Sequence, residues 1–216
     1  MNILITAGPT HEPIDAVRYI GNRSSGRMGA ALAEAALAAG QAVTLIVGPV
    51  TAAMPAAARR IDVETAAQML EMVLTEFPNH ELLIMAAAVA DYRPKQVTRE
   101  KLERAGTLVI ECEMTSDIVA AAGKIKRPNQ RSVGFSLESR GNLSRAGEKL
   151  VRKDLDLIVY NPIETMNSPT IEAVLLWPAG RQEKLNSQSK SSFAEVLIHR
   201  AIELFDPLVQ AGSGSS

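Results

Sequence analysis

The side chains of this sequence best suited to chemistry are cations, a carboxylate and an amide. Lys149 and Lys153 stand four residues apart, so a helix would carry both on one face. Like charges at that spacing repel unless an anion lies between them, and phosphate is such an anion. The same pair also suits two solvated lysines in a helix's last turn, where cations favour the dipole. Lys101 falls in the polar segment 91–106, DYRPKQVTREKLERAG, which carries eight charged residues and has little to bury. A flap of that kind could close Lys101 over a phosphate and offset the charge that builds up in acyl or phosphoryl transfer. Asp91 ends the small-residue run Ala86-Ala87-Ala88-Val89-Ala90. It could hold a metal on a triphosphate, accept from a sugar hydroxyl, or cap a turn. Arg18, Asn22 and Arg23 lie in a long polar segment between Gly8 and Gly26.

Nucleophiles are not arranged in the same way. His11, His80 and His199 are scattered, Cys112 is central in an apolar run, and the pattern G-x-x-x-x-G-K-[ST] does not occur. These residues therefore suit orientation and charge stabilisation better than covalent catalysis. The net charge of −1 and pI near 6.3 supply no global field for nucleic acid, so phosphate binding must come from local clusters. One cysteine excludes an internal disulfide. No apolar run approaches the ~18 residues of a membrane span, which leads us to expect a cytoplasmic protein.

The elements that must position these groups alternate. Residues 3–5 form a first apolar strand, and after the polar opening loop residues 28–39 form an alanine-rich helix ending at Gly40. Residues 42–47 read as a buried strand and 60–63 as a weaker one. Thr65 is placed to cap a helix that stops at Pro78-Asn79. Apolar residues 81–89, 107–113, 131–137 and 155–159 read as further strands, with helices capped at Ser116 or Asp117 and over 142–154. Residues 172–177 and 181–185 around Pro178-Ala179-Gly180 read as an antiparallel hairpin, and a helix over 191–205 closes the domain. This alternation predicts an α/β, Rossmann-like three-layer fold, with a mostly parallel sheet, helices on both faces and a C-terminal antiparallel hairpin. One domain is expected over 1–210, with 211–216 a flexible tail or cloning scar. Ligands in such sheets gather outside the strand carboxyl ends, which here present Gly8, Gly48, Ala86 to Asp91, Phe135, Glu138 and Asn161.

The run ITAGPTHEPIDAVRYIGNRSSGRMG, followed in order by AAAVADYRP, Glu100-Lys101, SDIVA, VGFSLES and Lys149 with Lys153, resembles phosphopantothenoylcysteine synthetase, the phosphopantothenate–cysteine ligase of coenzyme A biosynthesis. The resemblance runs from about Ile3 to Phe205. In many bacteria this domain is the C-terminal half of a bifunctional protein whose other half is a flavin-dependent decarboxylase. The resemblance implies CTP as co-substrate, Mg²⁺, an acyl-cytidylate intermediate, and a homodimer. It implies that Asn22 holds the intermediate, that Arg18 serves the second step and that Lys101 serves activation. Ala86, Ala87, Ala88 and Asp91, with Asp91 the metal-facing residue, would form the nucleotide-binding strand end. Ser116, Asp117, Ile118, Val119, Phe135, Lys149 and Lys153 would supply the remaining CTP contacts. Ser116 stands where the family often has proline, and Glu103-Arg104 where it often has further lysines. A NAD(P)-dependent oxidoreductase would instead need a tight glycine fingerprint and an acid after the second strand, where Val47-Gly48-Pro49 offers none. A non-catalytic nucleotide-binding module is the remaining alternative.

Overall fold

Continuous apolar runs pair with one another here because strands buried on both faces need no polar alternation. The computed structural model describes residues 1–104, 106–139, 141–165 and 168–206. In chain order its elements are β1 (Asn2–Ala7), β2 (His11–Pro13), β3 (Tyr19–Gly21), α1 (Arg27–Ala38), β4 (Ala42–Val47), β5 (Arg59–Asp62) and α2 (Ala66–Glu76). Next come β6 (Leu82–Met85), β7 (Tyr92–Pro94), β8 (Cys112–Met114), α3 (Ile118–Ile125), β9 (Arg131–Glu138) and α4 (Leu143–Arg152). The last are β10 (Leu157–Pro162), β11 (Thr170–Leu176), β12 (Gln182–Ser189) and α5 (Lys190–Glu203).

Eight strands form one sheet in the order β12-β11-β10-β9-β6-β1-β4-β5. The six from β10 to β5 are parallel and β11 and β12 run antiparallel at one edge. Side chains alternate along β1, so Ile3, Ile5 and Ala7 join the layer that also holds Leu32 and Ala36 of α1 and Phe193 and Leu197 of α5. Leu4 faces the other way, into the layer with Met69 and Val73 of α2 and Ile118 and Ala122 of α3. Ala146 and Leu150 of α4 cover Ile158 and Tyr160 on that second face. The expected three-layer architecture is therefore present. Thr65 caps α2 as its sequence suggests, accepting from the Gln68 N–H while the Gln68 side chain accepts from the Thr65 N–H.

Gly29 lets α1 sit close on β1: a Cβ there would lie 2.4 Å from the Ala7 Cβ. Gly26, the residue before α1, has φ of 80°, a left-handed conformation that a side chain would strain.

Three local expectations are corrected. Residues 107–113 do not form a core strand: only Cys112–Met114 is extended, and it pairs with β7 in a separate arm. Leu108, Val109 and Ile110 are exposed, and Cys112 is half-buried rather than enclosed. An apolar run alone does not distinguish a core strand from a surface patch. The opening loop is not structureless either, since β2 and β3 pair across it, with His11 stacked on Tyr19 at 3.6 Å between ring centres. Finally, the strand expected over 81–89 stops at Met85, and residues 86–90 are held by bonds from outside the sheet ladder. The expected tail, 211–216, lies outside the described residues.

Candidate active site

Strand order reverses direction between β1 and β6, since the chain winds outward from β1 through β4 to β5 and then returns to build β6, β9 and β10 on the other side. A crevice opens at the carboxyl ends of strands at such a switch point. The segment 86–90 lies there. Its backbone is pinned by the end of β1: the Ala87 N–H donates to Thr6 Oγ1 (3.2 Å), the Ala88 N–H to the Gly8 carbonyl (2.8 Å) and the Ala90 N–H to Thr10 Oγ1 (3.0 Å). Thr6 and Thr10 are fully buried, so these bonds carry structural weight. Thr115 holds the far end, its hydroxyl donating to the Ala90 carbonyl (2.6 Å) and its N–H to the Asp91 carbonyl (2.9 Å). The result is a braced segment with small side chains at the cavity.

Asn22 reaches this segment from the opening loop, its Nδ2 donating to the Val89 carbonyl (2.8 Å) and the Ala88 carbonyl (3.2 Å). On the other side Asp117 accepts from the Ala120 N–H (3.1 Å), capping α3, and pairs with Lys153 Nζ (3.0 Å). Lys149 Nζ donates to Glu138 Oε1 (2.5 Å) and to Ser136 Oγ (3.2 Å). Burial pushes the Glu138 carboxyl up, but the Lys149 hydrogen bond and charge outweigh it and hold it below the usual carboxylate range. Each of the two lysines is matched to its own carboxylate, and Lys153 stands one residue past α4.

These groups surround one cavity of about 950 Å³. Asn22, Ala86, Ala87, Ala88, Asp91, Ser116, Asp117, Ile118, Val119, Phe135, Lys149 and Lys153 all line it, although they are drawn from most of the chain's length. Arg18 and Lys101 do not. Arg18 turns to Asp15 and to the Leu102 carbonyl, and Lys101 is exposed on the flap beside them. Asp91 is exposed at the cavity rim. Among the described residues no three His, Cys, Asp or Glu side chains gather as a metal-holding group. The histidines stand apart from the cavity: His80 is buried between Thr44 Oγ1 and the Glu76 carbonyl, and His199 lies beside Glu203.

Sequence reasoning missed Arg145 and Arg152 of α4, which also line the cavity, and two cations from other elements, Arg27 at the start of α1 and Lys190 at the start of α5. Burial and then the nearby Arg27 charge lower the Lys190 pKa. Neither has an acidic partner among the described residues. Arg27 could have been found, because it follows the small-residue turn directly. Lys190 could not, because nothing in an edge strand announces that the next helix begins at the cavity.

The chain matches the family model described as "DNA/pantothenate metabolism flavoprotein C-terminal domain" over residues 1–204. It is 41% identical over 204 residues to the coenzyme A biosynthesis bifunctional protein CoaBC of Vibrio cholerae, covering 91% of this chain and 51% of that protein. It is 38% identical over 214 residues to the CoaBC of Escherichia coli K12, covering 95% and 52%. The chain thus spans about half the length of these bifunctional relatives. The crystal structure of a CoaBC C-terminal domain superimposes with a TM-score of 0.81 at 37% identity, covering 95% of this chain and 96% of that one. A Cab2 mutant in complex with phosphopantothenate-cysteine, 19% identical, shares the fold with a TM-score of 0.80 over 98% of this chain and 88% of its own. On the family match over nearly its whole length, this chain belongs to the DNA/pantothenate metabolism flavoprotein C-terminal domain family.

Proposed function

We propose that this domain is a cytoplasmic phosphopantothenate–cysteine ligase of coenzyme A biosynthesis that uses CTP. The observation that carries the reading is the convergence on one cavity of the residues that match the ligase motifs, Arg18 and Lys101 excepted. The family match and the fold shared with a Cab2 mutant that holds phosphopantothenate-cysteine support the same reading.

In the first step a carboxylate oxygen of phosphopantothenate attacks the nucleotide's α-phosphorus. The new O–P bond forms the acyl-cytidylate as the bond to pyrophosphate breaks. In the second step the cysteine amine attacks the acyl carbon, loses a proton, and CMP leaves. Both substrates are anions, so the first step needs positive charge where they meet. Arg27 and Lys190, without acidic partners among the described residues, supply it around the cavity, beside Lys149 and Lys153, whose charge Glu138 and Asp117 offset. The small side chains of Ala86, Ala87 and Ala88 leave room for the base and ribose against this braced segment. The Asp91 carboxylate, at the rim and without a side-chain partner among the described residues, fits Mg²⁺, which binds through one or two carboxylates plus substrate phosphates. When bound, that ion would neutralise phosphate charge.

Incubated with Mg²⁺, cysteine, phosphopantothenate and CTP, ATP or UTP in parallel, the protein should release pyrophosphate with CTP, and only when phosphopantothenate is present. No release at saturating substrates overturns the ligase, and release with ATP alone overturns the nucleotide assignment.

The arm built on β7 and β8 also supports the reading as a homodimer. Val109 is 80% exposed and Met114 76%, with Leu108 and Ile110 beside them, an apolar surface of the kind that marks an interface. Sedimentation should give twice the 23.2 kDa chain mass for the native protein and a single mass for Val109→Asp. A native protein that sediments as one chain removes the dimer.

A further inference from the structure

Asp15 is a buried acid that neither chemical step uses. Its side chain is 0% exposed, yet every oxygen is occupied. Oδ1 accepts from the N–H groups of Val17 and Arg18, both at 2.8 Å, which closes the turn between β2 and β3. Oδ2 accepts from Arg18 Nη1 (2.8 Å) and, across 87 residues of chain, from the Leu102 N–H (3.1 Å). Arg18 Nη2 lies 3.5 Å from the Leu102 carbonyl, so the two side chains hold both ends of one flap residue. A second tie, the Thr98 N–H to the Ile14 carbonyl (3.1 Å), lies four residues earlier. Lys101 sits between these ties, next to Leu102. Burial pushes the Asp15 carboxyl up, but the three N–H bonds and the Arg18 charge hold it below the usual range, so it remains a carboxylate at neutral pH.

The geometry points to Asp15 as a positioning residue that latches the flap to the opening hairpin and fixes Lys101 in one frame with Arg18. A surface loop with so little to bury cannot set the place of a lysine by packing, because its apolar contacts are too few. A buried carboxylate can, because releasing its partners would leave charge and N–H groups unpaired. Arg18 alone would be a weak tether, since an exposed guanidinium pair contributes little. That Lys101 carries the activation step rests on the ligase reading; the latch itself does not.

Hydrogen exchange on the native protein tests the latch without any variant: the Leu102 amide should exchange at least about tenfold more slowly than a free peptide. In Asp15→Asn that protection should fall to the free rate, while calorimetry still finds one CMP site per chain. Pyrophosphate release per CMP site should drop about tenfold, the effect of one charge-assisted bond. A loss of folded protein would instead lower CMP sites and rate together. A Leu102 amide unprotected in the native protein overturns the latch, as does exchange unchanged in Asp15→Asn. Faster exchange with unaltered release per site overturns the positioning role. If the native protein releases no pyrophosphate, the ligase reading fails while the exchange arms still decide the latch.

Discussion

Lys101→Gln is expected to slow pyrophosphate release by roughly 10²- to 10³-fold, the effect of removing one preorganised donor from a developing oxyanion. Glutamine keeps most of the length of the side chain and its capacity to donate, and removes the charge alone. The ties at Thr98 and Leu102 do not involve the Lys101 side chain, so the flap should keep its place in this variant. Its effect should therefore fall on the rate, while CMP, which lacks the β- and γ-phosphates, binds to within about twofold of the native affinity, a difference well below one tenfold step. Lys149 and Lys153 cannot compensate readily, because each is already matched to a carboxylate, Glu138 and Asp117. Single-turnover measurement of pyrophosphate with saturating CTP and phosphopantothenate checks the prediction. A release rate within about threefold of native would place Lys101 outside the first step, since that is under half of one tenfold step in free energy.

The contrast between the flap lysine and the helix lysines marks what is legible in the sequence. The sheet is legible because parallel strands buried on both faces read as apolar runs, and β4 falls on residues 42–47 as read. Helix ends are legible where a side chain closes them, as at Thr65 and Asp117. The apolar run ending at Cys112 misleads because composition alone cannot say what will cover it, and here nothing among the described residues does. The segment after Met85 misleads for the opposite reason. Its backbone is satisfied by Thr6, Gly8 and Thr10, residues some eighty positions away, and no local pattern reports such a partner. The same limit hides the carboxylate partners of Lys149 and Lys153, the place of Lys190, and the role of Asp15.

Asn22→Asp should separate the two chemical steps. The amide nitrogen of Asn22 donates to the carbonyls of Val89 and Ala88, so the side chain braces the segment that lines the cavity. Aspartate has the same shape but, once ionised, no donor: its oxygen would face two carbonyl oxygens at the present 2.8 and 3.2 Å, and it must turn away. The segment itself keeps its bonds to Thr6, Gly8 and Thr10, so nucleotide binding survives. What the variant adds is a negative charge beside an anionic acyl-cytidylate. Pyrophosphate release is accordingly expected to fall by no more than about tenfold, while formation of the cysteine adduct falls by roughly 10²-fold or more, about 2.7 kcal/mol of barrier. The acyl-cytidylate should then accumulate and be trapped by acid quench. Equal losses in both steps would show that Asn22 acts only by bracing the strand end, and two unaltered steps would remove it from the site.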